Sequence, residues 1–331
     1  MCYTQNRFKA LISACVMSLI ATTGWSQSLT WLGVLPNGTH SHAYAVSADG
    51  AVVVGHVYNT AGQYRAFRWT ASGGMQDLGD LGGGSSEAWG VSADGSVVVG
   101  RALNAAGRSR AFRWTASGGM QVLGTLGSNN TEAYAVSADG SVVVGGAQNA
   151  AGHDRAFRWT ASGGMQALGT LPGGYHSEAF GVSADGSVVV GWAQNAAWQW
   201  RAFRWQNGVM QNLGTLGGNE SLAWGVSADG AVVVGWAQNA AWQWRAYRWT
   251  ASGGMENLNT TYASLLTDGS VLVRAFAISP DGRYIVGWGR NAATGRLEAF
   301  LLDTVPEPAS LMALSAGLVG LLGLRRRRSK Q

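Results

Sequence analysis

An eight-residue phrase returns six times along this chain, and that periodicity limits the possible folds more than any other feature. Ala43–Gly50 reads AYAVSADG; it recurs as AWGVSADG at Ala88, AYAVSADG at Ala133, AFGVSADG at Ala179, AWGVSADG at Ala223 and AFAISPDG at Ala275. Its aspartates (Asp49, Asp94, Asp139, Asp185, Asp229, Asp281) stand 45, 45, 46, 44 and 52 residues apart. A period of that length belongs to architectures in which one supersecondary unit stacks on the next.

Four strand-like runs can be read in each unit. The AYAVS run ends at an Asp-Gly turn and is followed by VVVG, as at Val52–Gly55, rich in β-branched residues. RAFRW follows, as at Arg65–Trp69, and then GMQxLG, as at Gly74–Gly79. Helical periodicity is absent from the body. The first three types occur six times, ending with Ala275–Ile278, Tyr284–Gly287 and Glu298–Leu302, whereas the fourth follows only five units. A sixth copy of the fourth type, Thr30–Leu35, precedes the first unit. The spacing therefore predicts an all-β, six-bladed β-propeller of about 45-residue four-stranded repeats, its ring closed by the N-terminal strand. A solenoid or open array would need no such offset.

The two ends read differently from the body. Arg7 and Lys9 precede an apolar run from Ala10 to Ala21 and small residues near Ser26, the order of a secretory signal peptide over residues 1–26. At the other end Pro306-Glu307-Pro308 leads into an apolar stretch, Ala309–Leu324, and then Arg325, Arg326, Arg327, Arg328 and Lys330. Arginines behind a short apolar stretch keep that end cytoplasmic and leave the body outside. The expected domains are thus 1–26, a repeat body over 27–304, and a sorting tail over 305–331.

Charge and cysteine content narrow the function classes. The net charge is +5, but seven of the 23 Lys and Arg lie before residue 27 or after Pro308, where no acid occurs. Residues 27–308 carry sixteen arginines against eighteen acids, a net of −2, which argues against nucleic acid as a partner. Both cysteines, Cys2 and Cys15, fall in the expected signal peptide, so the body folds without disulfides and has no thiol nucleophile.

The recurring segments A-F/Y-R-W and VSADGSVVVG resemble the extracellular HAF-family repeat proteins of bacteria over roughly residues 30–303, although Arg-Ala-Phe stands where that family often has His-Ala-Phe. The tail, with Pro306, Glu307, Pro308 and the Arg325–Arg328 cluster, resembles a PEP-CTERM sorting signal. The resemblance implies a bacterium with an exopolysaccharide-producing envelope, transient insertion of the tail in the inner membrane, and cleavage by an exosortase, a transpeptidase-like membrane enzyme. The processed protein is then expected at the cell surface or outside. Neither resemblance implies a catalytic activity or a cofactor.

Site candidates follow from what varies between units. In a four-stranded up-and-down blade the 1–2 and 3–4 turns share one end, and here they are nearly uniform. The 2–3 loops and the connections between blades share the other end and differ, so recognition is expected there. Trp198, Trp200, Trp242 and Trp244 replace the AAGRSR-type loop in units four and five, and Trp192 and Trp236 replace smaller residues nearby. Solvent-facing indoles suit sugar rings or a protein's aromatic anchors, so these six are the candidate ligand-binding residues, with exopolysaccharide or another surface protein as partner. The alternative is that they extend the core between blades.

The recurrent Phe67/Trp69-type pairs are expected to pack blade on blade, and the Arg68-type arginines to pair with the Ser-Ala-Asp-Gly aspartates within or between blades rather than to form an anion-binding ring. His40, His42, His56, His153 and His176 show no metal-ligand spacing, and no nucleophile elbow, phosphate loop or dinucleotide motif occurs. One slot just before the first strand holds His42, Glu87, Glu132, Glu178, Leu222 and Arg274. Its three glutamates would either face a central channel, where paired carboxylates can cleave glycosides, or be solvated loop acids, which is the favoured expectation. The favoured expectation is a non-enzymatic surface or matrix protein, the rival a propeller glycosidase or lyase.

Overall fold

The computed structural model describes residues 29–305; the expected signal peptide and the sorting residues Pro306–Pro308 and Arg325–Arg328 lie outside the described residues. Residues 29–32, the described end of a separate unit, carry no strand, and the six sheets all fall after Gly33. The first sheet joins Gly38–Val46, Val52–Asn59, Tyr64–Thr70 and Gly74–Asp77 in sequential antiparallel order. Four further four-stranded sheets repeat it, their first strands beginning at Gly82, Gly127, Ser177 and Gly217. The sixth has three strands, Val271–Ile278, Tyr284–Arg290 and Leu297–Asp303. This is the expected all-β propeller architecture.

The turn between strands one and two is fixed by its own sequence. In blade two Asp94 Oδ1 accepts from the Ser92 hydroxyl at 2.6 Å and from the Ser96 amide at 3.0 Å, while Ser92 Oγ accepts from the buried Val97 amide at 3.0 Å. Gly95 supplies the left-handed residue, with φ +72°. The serine hydroxyl and amide bonds hold the Asp94 carboxyl down at about 2.

These turns also join the blades. The Ala48 amide donates to the Ala93 carbonyl at 2.9 Å, and the same bond runs through Ala138, Ala184 and Ala228 to the carbonyl of Pro280. The arginines act beside them, but not as expected. Arg68, Arg113, Arg158 and Arg204 donate their Nε–H to the carbonyls of Gly95, Gly140, Gly186 and Gly230 in the next blade, rather than to the aspartates, whose Oδ1 atoms are taken within their own turns.

The VVVG strand has no polar face because each sheet is covered on both sides. Val98 packs with Val52 and Val54 of blade one, while Val97 and Val99 pack with Val143 of blade three. The aromatic of RAFRW fills the same interfaces: Phe67, Phe112, Phe157, Phe203 and Tyr247 are all at 0% exposure. Burying such a side chain stabilises the fold by roughly 1.5–3 kcal/mol. Five apolar clusters result, one for each consecutive pair of blades.

Two features depart from expectation. Among the described residues the expected closing strand at Thr30–Leu35 is not formed: residues 29–37 carry no strand and the sixth sheet has three members. The segment after Gly33 is tied instead to blade one: Gly38 N donates to Leu35 O at 2.9 Å, Ser41 Oγ to Gly33 O at 2.8 Å, and Thr60 N to Asn37 O at 3.0 Å. The wider spacing before the sixth repeat is taken up by a short helix, Leu258–Thr261, whose start is capped by the Asn257 side chain, and a 3-10 turn, Ala263–Leu265.

Candidate functional site

Every first strand contains a β-bulge at the same place, and it is what builds the axial face. In blade one Ala43 pairs with Gly55 and Ala45 with Val54, leaving Tyr44 as the extra residue; the register skips likewise at Trp89, Tyr134, Phe180, Trp224 and Phe276. A bulge re-aims the side chain it carries. It also explains the glycine of VVVG: a Cβ on Gly100 would stand 1.9 Å from the Glu87 carbonyl oxygen, and Gly145 and Gly191 show the same approach to Glu132 and Glu178.

The re-aimed aromatics form a continuous row across blades two to six. Ring centroids are 5.3 Å apart for Trp89–Tyr134, 5.2 Å for Tyr134–Phe180, 4.2 Å for Phe180–Trp224 and 5.9 Å for Trp224–Phe276. Tyr44 joins Trp89, Tyr134, Phe180 and Trp224 in lining a well of about 440 Å³.

Two residues before the bulge aromatic in each first strand lies the slot that carries the glutamates. Register pairs it with the residue after VVVG: His42 with His56, Glu87 with Arg101, Glu132 with Gly146, Glu178 with Trp192, Leu222 with Trp236 and Arg274 with Trp288. Opposite residues in an antiparallel pair share a face. Five of the six pairs put a large side chain on the second strand. Blade three puts Gly146 there, and a cavity of about 360 Å³ opens over it, lined by Arg101, Ser109, Glu132, Tyr134, Asp154 and Glu178. Gly107 and Gln148 border it too, so it opens toward the variable loop end.

The charges in this cavity are unequally satisfied. Arg101 donates to Glu87 Oε1 at 2.6 and 3.0 Å and to Glu132 Oε1 at 3.0 Å. Glu132 Oε2 accepts from the Tyr134 hydroxyl at 2.8 Å, so both oxygens of this carboxylate have donors. Glu178 has no hydrogen-bond partner among the described residues. Its burial, followed by the charges of Asp154 and Glu132, pushes its carboxyl up to about 7. Burial also holds the Tyr134 phenol far above its ordinary range, so it remains a donor. At the near side of the arc, burial pushes the His56 imidazole down, 3.6 Å from Glu87.

The six tryptophans singled out from the sequence are split by the structure. Trp198 and Trp242 stand at the tips of their 2–3 loops, 63% and 62% exposed. Both adopt left-handed backbone, φ +60° and +59°, where Gly62, Gly107 and Gly152 sit in the other blades. Asn195 Oδ1 holds the first of these loops by accepting from the amides of Ala197 and Gln199. Tyr175 stacks on Trp198 at 5.1 Å, an exposed pair that sequence reading missed. Trp192 and Trp200 are half-buried, edge to face at 4.0 Å, and Trp244 is half-buried as well. Trp236 is not solvent-facing as expected: it is 5% exposed, packed at 5.2 Å on Trp224 and 4.8 Å beneath the Arg274 guanidinium. Its slot opposite Leu222 turns it toward the axis.

The three glutamates expected to line the channel do come together, through Arg101 and the cavity. The bulge aromatics escaped notice because AYAVS reads as an unbroken alternating strand; the glycine inside the next strand was the available signal. No group of three or more metal-ligating side chains occurs among the described residues.

Residues 304–328 match the PEP-CTERM protein-sorting motif. The tail thus carries the sorting motif its sequence resembles, and that motif implies an exported protein with a membrane-anchored tail processed by an exosortase. No curated protein matches the sequence. Among solved structures, the chain is similar to TolB from Acinetobacter baumannii, with TM-score 0.53 and 14% identity, over 78% of this chain and 62% of that one. It therefore spans less than two thirds of that protein's length. It is also similar to the β-propeller domain of the Trilobed protease from Pyrococcus furiosus, described as having an open velcro topology (TM-score 0.53, 10% identity, 81% and 84% covered). The acylaminoacyl peptidase of Pyrococcus horikoshii matches at TM-score 0.51 and 9% identity, over 82% of this chain and 47% of that one. At these identities the likeness carries the fold, β-propeller, and nothing of the activities.

Proposed function

We propose that this exported, exosortase-sorted propeller is a non-enzymatic surface or matrix protein that binds carbohydrate at its axial face. The observation that carries the reading is the position of Tyr134, which belongs both to the stacked aromatic row and to the cavity over Gly146. Aromatic faces take the apolar faces of sugar rings, and convergent polar groups beside them fix orientation. Arg101 is already engaged by Glu87 and Glu132, so the lining formed by Glu132, Asp154 and Glu178 favours neutral or amino sugars over uronic acids. The cavity opens among the variable loops, in keeping with recognition at that end. The resemblance of the repeat to HAF-family extracellular proteins fits an envelope role of this kind.

Glycoside cleavage is the second reading, favoured by one observation: Glu178, with its raised pKa and no hydrogen-bond donor among the described residues, shares the cavity with Glu132, whose oxygens accept from Arg101 and Tyr134, the unequal environments that separate a general acid from its partner carboxylate. Calorimetric titration of the full chain with neutral, amino and uronic-acid oligosaccharides, alongside a hydrolysis screen, separates the two. Binding without turnover, lost in Trp89→Ala, is expected. Turnover that disappears in Glu178→Gln would replace the binding reading with the catalytic one.

A further inference from the structure

The outward face of blade six is apolar and exposed, and its last strand is the one that leads in sequence to the tail. Its second and third strands pair Tyr284 with Asp303, Val286 with Leu301, Trp288 with Ala299 and Arg290 with Leu297, so these residues share one face. In blades one to five the corresponding face is buried against the next blade: the alanines equivalent to Ala299 (Ala66, Ala111, Ala156, Ala202, Ala246) are at 0% exposure, as are the valines equivalent to Val286. In blade six Ala299 is exposed, Val286 is 41% exposed, Leu301 68% and Leu297 69%. No apolar cluster joins blade six to blade one among the described residues.

The links that would specify another blade are missing from this face. Each earlier blade donates a backbone amide from its turn to a neighbouring turn, but blade six has Pro280 there, which accepts from Ala228 and has no N–H to donate. The Arg68-type guanidinium that reaches the neighbouring turn is replaced by Leu301. Apolar area persists where the directional polar contacts do not, which suits a partner without register. Chain length says where such a partner lies. The last strand ends at Asp303 and the apolar stretch of the tail begins at Ala309, six residues later, a reach of at most about 20 Å. Arg283, stacked at 4.8 Å on Tyr284, and the exposed Arg290 and Arg296 border the leucines, the composition of a headgroup-level surface.

We propose that in the membrane-anchored precursor the outward face of blade six, centred on Leu297, Leu301 and Val286, rests on the outer surface of the bilayer that holds the tail. The proposal depends on the tail being membrane-inserted, and it makes the last blade a docking face that keeps the cleavage region at headgroup level. The test uses the full chain with Cys2 and Cys15 replaced by serine and a bimane label on Leu301→Cys, on Leu297→Cys or, as control, on Val209→Cys, a residue 66% exposed in blade four. Each is reconstituted into phosphatidylethanolamine/phosphatidylglycerol vesicles with and without nitroxide-bearing lipid. The labels at 301 and 297 are expected to be quenched by the nitroxide lipid several-fold more than the label at 209, and to be shielded from aqueous iodide. Equal quenching at all three positions would overturn the proposal. Shielding from iodide without quenching by lipid would also overturn it, pointing to a second copy on this face. Carbonate extraction reports on the tail separately: an extractable chain would overturn the anchoring itself, and the proposal with it.

Discussion

Gly146 lies against Glu178: a Cβ added to the glycine would stand 3.3 Å from the Glu178 Cγ. The missing side chain is what leaves room over blade three, since the equivalent residues are His56, Arg101, Trp192, Trp236 and Trp288.

Restoring the neighbours' residue with Gly146→Trp should fill the cavity. Oligosaccharide affinity measured by calorimetry is expected to fall at least tenfold, while the melting temperature moves little because the site already tolerates tryptophan in blades four to six. Unchanged affinity would place the ligand elsewhere.

The Glu178 carboxyl makes stability depend on pH in a defined window. Its folded pKa, about 7, is raised above its unfolded value of about 4.5, so the folded state holds the proton longer. Its contribution costs nothing below pH 4.5 and grows to a destabilisation on the order of 2–3 kcal/mol as pH rises to about 7. Denaturant titrations should therefore show Glu178→Gln gaining stability over the native chain across that range. A gap that stays constant with pH would contradict the assignment. The turn aspartates act in a different window, since Asp94 and Asp185 are held near 2 and their contribution is lost as pH falls below about 4.

The serine of each turn satisfies a buried amide. Ser92→Ala leaves the N–H of Val97, a residue only 3% exposed, unpaired, and a loss of about 1–3 kcal/mol in unfolding free energy is expected. A chemical-denaturation curve that coincides with the native one would show that solvent or a shifted turn replaces the bond.

The strained loop tips separate folding from recognition. Trp198→Gly restores the residue type that the left-handed position holds in other blades, and should stabilise the chain by about 1 kcal/mol. Oligosaccharide affinity is expected to stay within twofold. A tenfold loss would move recognition to the stacked Tyr175–Trp198 pair.

Much of this architecture was legible in the repeat itself. The aspartate spacing gave six units, and the VVVG and RAFRW runs marked two of the strands in each unit. What escaped were contacts that depend on register and on neighbouring blades. The bulge at Ala43–Tyr44 shifts an apparently ordinary strand by one residue and turns a row of aromatic rings toward the axis. Arg68 was assigned the nearest carboxylate, yet the turn aspartate is saturated by its own serine, leaving the glycine carbonyl of the next blade. Thr30–Leu35 matches the fourth strand in sequence, but the turn at Leu35–Gly38 ties the following residues to blade one. Glu87, Glu132 and Glu178 were read correctly as one slot, and only the structure could add that Gly146 leaves the space between them.

The central claim is best tested by a crystal structure of the chain with a bound amino-sugar oligosaccharide. The account predicts one sugar ring against Trp89 or Tyr134 and its neighbour in the cavity over Gly146, within hydrogen-bonding distance of Glu178. Sugar seated on Trp198 or Trp242 with the axial well empty would contradict it.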